Sequence, residues 1–153
     1  MQDIIFSHSS RPLTEEELTE VEQYLKFSLP PDVRRFYLRQ NGGRPMPHLF
    51  PMGGELYGVS RFLPIKYPNP PNYLTVDSTY RDLTTKPATS RFPKYLVPIA
   101  IDGGGDHYCF SARVEDFGAI LCFAWDYYDD PERSTIWLSK SLDAFLDSLI
   151  EET

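Results

Sequence analysis

The chain has 153 residues, 41% of them hydrophobic, with ten Tyr and ten Phe and a net charge of −7. That length and apolar content suit one folded domain with a substantial core, and they exclude a disordered chain. Two cysteines exclude a disulfide scaffold, no apolar run reaches the length of a membrane span, and Met1-Gln2-Asp3 opens no basic signal-peptide region. The expectation is a cytoplasmic protein without a membrane partner.

In chain order, the first signal is a helix start. Thr14 is placed to N-cap and Glu17 to reach back, a capping box, with Leu13 and Leu18 as its hydrophobic staple. Leu18, Val21 and Leu25 then recur at helical spacing and predict a buried stripe. Pro30 and Pro31 stop that helix, and Pro31 suits the first position of a second one. Val33, Phe36, Tyr37 and Gln40 share a face of this second helix, with Arg34, Arg35 and Arg39 on other faces. Asn41-Gly42-Gly43 supplies residues that tolerate positive φ, the expected helix C-cap.

Ten of the fourteen prolines lie from Arg44 to Pro98, interspersed with aromatic residues. The spacing predicts a packed but irregular segment over residues 44–93, without long helices. Beyond it, Tyr95 to Ile101, His107 to Arg113 and Ala119 to Trp125 read as three antiparallel strands. If Arg113 faces Gly118 across the turn, Cys109 stands opposite Cys122, and Tyr108 and Phe110 share a core face with Leu121 and Phe123. Both thiols are expected free and buried. Ser141 caps a last helix whose Leu142, Phe145, Leu146, Leu149 and Ile150 form its apolar stripe. The predicted fold class is α+β: an antiparallel, curved sheet packed with an N-terminal helical hairpin and a C-terminal helix, all in one domain, 1–153.

Charge is uneven. Residues 99–153 hold twelve acids against three bases. Such a surface repels phosphate backbones, so no direct nucleic-acid contact is expected, and it suits a basic protein partner. Asp102-Gly103-Gly104-Gly105-Asp106-His107 lacks the Lys-Ser/Thr ending of a phosphate loop and the ligand spacing of a calcium loop, so it reads as a turn. Trp125-Asp126-Tyr127-Tyr128-Asp129-Asp130 combines aromatic anchors with acids that recognise Arg or Lys. No nucleophile, metal-ligand spacing or cofactor motif accompanies these residues, and no catalytic, cofactor or metal residue is assigned.

The order of these motifs resembles the SUKH superfamily, whose members include cell-wall-assembly-regulator-like proteins. Its pattern of amphipathic helix, "Leu-Pro" step, aromatic second helix and "Asn-Gly-Gly" corresponds to Leu18 to Leu25, Leu29-Pro30, Phe36 to Leu38 and Asn41-Gly42-Gly43. Its central strand and Gly-rich turn correspond to Val97-Pro98-Ile99-Ala100 and Asp102 to Asp106. Cys109-Phe110 and Gly118 to Asp126 resemble its hairpin, with Tyr127 where a His is expected. Residues 44–93 have no clear counterpart in the pattern and read as an insertion.

The resemblance implies a non-enzymatic immunity protein that neutralises a cognate toxin, a basic nuclease domain among the possible targets. Asp102, Asp106, Trp125, Asp126, Tyr127, Tyr128, Asp129 and Asp130 are the candidate partner-binding residues. A regulatory protein-interaction scaffold is the alternative that the same resemblance offers. A small metal-dependent hydrolase using Asp102, Asp106, His107 and Asp126 is a third.

Overall fold

A computed structural model describes residues 2–152. Strand β1 (Ile5–Ser7) precedes helices α1 (Glu15–Leu25) and α2 (Pro31–Arg39). Four short strands follow: β2 (Arg44–Met46), β3 (Leu49–Met52), β4 (Glu55–Gly58) and β5 (Arg61–Phe62). Helix α3 (Val76–Thr85) leads to β6 (Leu96–Ile101), β7 (His107–Ser111) and β8 (Ile120–Phe123). The chain ends with the single turn α4 (Pro131–Ser134), β9 (Thr135–Ser139) and α5 (Leu142–Asp147). Strands β5 to β9 form one antiparallel sheet in sequence order, while β1–β2 and β3–β4 form separate two-stranded ribbons. The architecture is α+β.

Local chemistry accounts for the helical hairpin. Thr14 accepts from the Glu17 N–H at 3.2 Å, and Glu17 Oε1 accepts from the Thr14 N–H at 3.0 Å, completing the capping box. Leu18, Val21 and Leu25 are buried on one stripe of α1, as are Val33, Phe36 and Tyr37 on α2. Arg34 ties the two helices through Glu22 at 2.8 Å. The expected Asn-Gly-Gly cap has a different role. Helix α2 ends on Gln40 in an extended conformation, and the turn that follows serves long-range packing.

Asn41 is 1% exposed. Its Nδ2 donates to the carbonyls of Arg11 and Ile65 at 2.9 Å each, and its Oδ1 accepts from the Ile65 N–H at 2.7 Å. Gly42, at φ +75°, runs so close to β5 that an added Cβ would lie 2.7 Å from the Phe62 carbonyl oxygen and 2.8 Å from the Pro64 nitrogen. Positive φ is needed here for close approach, not for helix termination.

The main sheet is buried on both faces. One face packs Val97, Ile99, Tyr108, Phe110, Ile120 and Cys122 against the apolar stripes of α1, α2 and α5. The other carries Leu96, Cys109, Leu121 and Phe123, covered by Leu83 of α3 and by Phe92. Pro98 sits in a central strand, where it withholds a ladder donor, and a register shift beside it, between Pro98 and Ala100, accommodates the loss.

Three expectations need correction. Tyr108 pairs with Cys122 and Cys109 with Leu121, one residue away from the predicted register. Gly118, at φ +88°, donates to the Ser111 carbonyl while Ser111 donates to Ala119, so two residues face one and the bulge moves every pair by one. Cys109 and Cys122 therefore lie on opposite faces, as do Tyr108 and Leu121.

The segment 44–93 is less irregular than its prolines suggest. Residues 72–86 contain no proline, and there Thr75 and Ser78 make a second capping box for α3. Strand β5, from the same segment, forms one edge of the sheet. Finally, α5 stops at Asp147, so Ile150 leaves the helical stripe and instead bridges to Leu49 through its backbone, 44% exposed.

Candidate functional site: the acidic end of the sheet

The β6–β7 turn and the segment after β8 leave the same end of the sheet, because His107 pairs with Phe123. In the turn, Asp102 Oδ1 accepts from the N–H groups of Gly104 and Asp106, both at 2.8 Å. The Asp102 N–H donates to the Asp106 carbonyl at 3.0 Å, and Gly105 takes φ +98°. This closes a tight loop in which glycine is required at position 105. Asp106 then bridges the two segments, its Oδ1 accepting from the Trp125 N–H at 3.0 Å.

Below this bridge lies an aromatic base. The Trp125 indole N–H donates to His107 Nδ1 at 2.8 Å, which fixes the neutral ring with its proton on Nε2. Phe92 stacks on Trp125 with centroids 6.0 Å apart and planes 13° apart, and Phe123 meets Trp125 edge-on at 4.7 Å. Burial pushes His107 down to about 4, against the opposing pull of the Asp102 charge. Burial also raises Asp106; the Trp125 N–H opposes this shift, and the charges of Asp102 and Asp126 reinforce it. Burial pushes Cys122 up to about 12, and the Cys109 thiol is likewise raised, so both stay protonated at neutral pH.

The eight candidate residues thus divide by structural role. Asp102 closes its own turn, while Asp106 and Trp125 hold the two segments together. Asp130 caps α4, accepting from the Glu132 N–H at 3.1 Å. Asp126, Tyr127, Tyr128 and Asp129 are left facing solvent, with Tyr127 39% and Tyr128 52% exposed. Arg133 stacks over the Tyr127 ring at 3.9 Å, fixing that ring in place. The result is two exposed acids and two exposed tyrosines on a short 3-10 turn, Trp125–Tyr127, and the two residues after it, with Trp125 anchored from below.

This geometry offers recognition of cations and aromatic packing. A catalytic use is poorly served: His107 spends Nδ1 on Trp125 and is a weak base. Among the described residues, no group of three or more His, Cys, Asp or Glu side chains is arranged to hold a metal ion. No described helix is long and apolar enough to cross a membrane. Sequence reasoning missed His107 and Phe92 as the supports of Trp125, since only tertiary contact brings residues 92, 107 and 125 together. A separate cavity of about 280 Å³ opens between the N-terminal segment, α2 and α5, where Arg35 and Asp143 pair. It shares no residue with the acidic end.

The description SMI1 / KNR4 family (SUKH-1) belongs to the family model that matches residues 12–148. The chain belongs to this family. The matched range runs from just before the α1 cap through the end of α5, and it contains the proline-rich segment, both acidic-end segments and β9. None of the curated proteins compared matches the chain. The SUKH-1 assignment agrees with the resemblance read from Leu29-Pro30, Asn41-Gly42-Gly43 and the strand-turn-hairpin order.

Proposed function

We propose that this SUKH-1 protein is a cytoplasmic, non-enzymatic immunity protein that binds and neutralises a cognate toxin carrying a basic surface. The observation that carries the reading is the braced, solvent-facing set Asp126, Tyr127, Tyr128 and Asp129 at the acidic end of the sheet. Tyrosines with two side-chain torsions lose little entropy on contact and bury much area, while carboxylates pair with Arg or Lys of the partner. The excess of acids over residues 99–153 adds a long-range field that speeds encounter with a basic domain. Covering an active site and covering an adjacent surface are both compatible with this contact chemistry.

The decisive experiment is a pull-down with the product of the gene immediately upstream, followed by growth rescue of cells expressing it. Capture and rescue by the wild type are expected. Capture without rescue points instead to a regulatory scaffold, and loss of both removes the immunity reading for that partner.

A further inference from the structure

The sheet has one open edge close to the acidic end. Strand β5, at the other edge, is met by Gly43, which exchanges backbone hydrogen bonds with Phe62 at 3.0 and 2.8 Å. Among the described residues, strand β9 pairs only with β8. Ala124 donates to the Ser134 carbonyl at 2.7 Å while the Ser134 N–H turns back to Asp130, and this one bond sets the phase of the β8–β9 ladder. Antiparallel alternation then turns the backbone of Ile136 toward β8 and the backbones of Thr135 and Trp137 outward. Among the described residues, neither Thr135 nor Trp137 has a further backbone or side-chain hydrogen bond outside the strand ladder. Leu138, the extra residue of a bulge, ends the regular edge there.

The side chains on this edge are unusual for one left in water. Trp137 is 52% exposed and stands opposite the buried Leu121. Thr135 to Ser139 carries no charge and no proline, the residues that commonly protect an edge. Asp129 and Glu132 are exposed just ahead of its N-terminal end, where the neighbouring Arg133 is engaged with Tyr127, and the exposed Lys140 stands past its other end. A second copy of this chain would bring its own net charge of −7 to a strand whose N-terminal end adjoins acids, whereas a basic segment is attracted to that end.

We infer that the toxin docks by adding a short extended, basic segment to the free edge of β9, its main chain bonding Thr135 and Trp137 and one side chain packing on the Trp137 indole. This rests on the immunity reading and specifies how the partner is held. Strand addition supplies main-chain hydrogen bonds, while the Trp and the acids select the side chains.

The test uses the full chain with the toxin captured above. Hydrogen exchange at the Thr135 and Trp137 amides should slow by about tenfold or more in the complex, which contact through side chains alone would not produce. Trp137→Ala and Trp137→Pro should each weaken binding by about tenfold or more. Proline there removes an outward N–H and costs no ladder bond. Circular dichroism verifies that both variants are folded, and the wild-type amide measurement stands even if one is not.

Unchanged amide exchange with retained toxin binding overturns strand addition and leaves the immunity reading intact. Protection that appears in the free protein as its concentration rises assigns the edge to a second copy and also overturns the inference. Absence of toxin binding by the wild type sinks both.

Discussion

The Asn41–Gly43 turn and the acidic end of the sheet are both built from glycines and short polar side chains, yet they dispose of their hydrogen bonds in opposite ways. Around Asn41 the amide oxygen and nitrogen are bound to Arg11 and Ile65, and the glycines lie against β5 and the N-terminal segment. At the acidic end, Asp102 and Asp106 are committed to the loops, but Asp126, Tyr127, Tyr128 and Asp129 remain exposed on top of them. The residues that carry the family resemblance and the proposed contact surface are therefore built differently. The first lie where polar groups are fully used inside the fold, the second where a rigid base holds some of them out.

The largest effect expected from breaking this contrast is at Asn41. Asn41→Ala should cost about 3–5 kcal/mol, because it strands buried backbone groups as well as removing three bonds. Denaturant unfolding reads this, and the toxin affinity of the folded fraction should stay unchanged. Next comes pH. His107 has a folded pKa depressed to about 4 from 6.5, so the unfolded chain binds the extra proton between those values. Its stabilising share is present above pH 6.5 and is lost as pH falls toward 4, amounting to at most roughly 3 kcal/mol. The raised Asp106 works in the opposite direction, favouring the fold in acid, so the measured loss should be smaller. His107→Gln should flatten the profile of unfolding midpoint against pH over this window.

A smaller effect on stability, with a larger one on binding, belongs to the exposed acids. Asp126→Lys with Asp129→Lys should leave the unfolding midpoint within about 0.5 kcal/mol of wild type. Adding Asp130→Lys should cost about 1 kcal/mol more, since it also removes the α4 cap. Smallest of all is oxidation. Cys109 and Cys122 are buried on opposite sheet faces, so mild oxidant should leave both the melting temperature and the non-reducing mobility unchanged.

Much of the fold was legible because its signals are local. Thr14 with Glu17, Pro30-Pro31, and the stripe Leu18, Val21 and Leu25 each depend on neighbours within one or two helical turns, and each appears as read. The register of β7 and β8 was misread because a single Gly118 bulge, invisible to alternation, shifts every pair. Helix α3 was hidden behind flanking prolines, although Thr75 and Ser78 mark its start. Strand β9 was overlooked too, and its Thr-Ile-Trp run was the available signal. At the acidic end, composition identified the patch. The commitment of Asp102 is local turn chemistry, but that of Asp106 and Trp125 depends on contacts between residues 92, 106, 107 and 125, which no local pattern encodes.

The most direct measurement is the association rate with the captured toxin across a salt series, for the wild type and for Asp126→Lys with Asp129→Lys. If the acidic end is the contact surface, the variant associates about tenfold more slowly at low salt, with the gap closing as salt screens the charges. Equal rates and equal salt slopes for both proteins would contradict it.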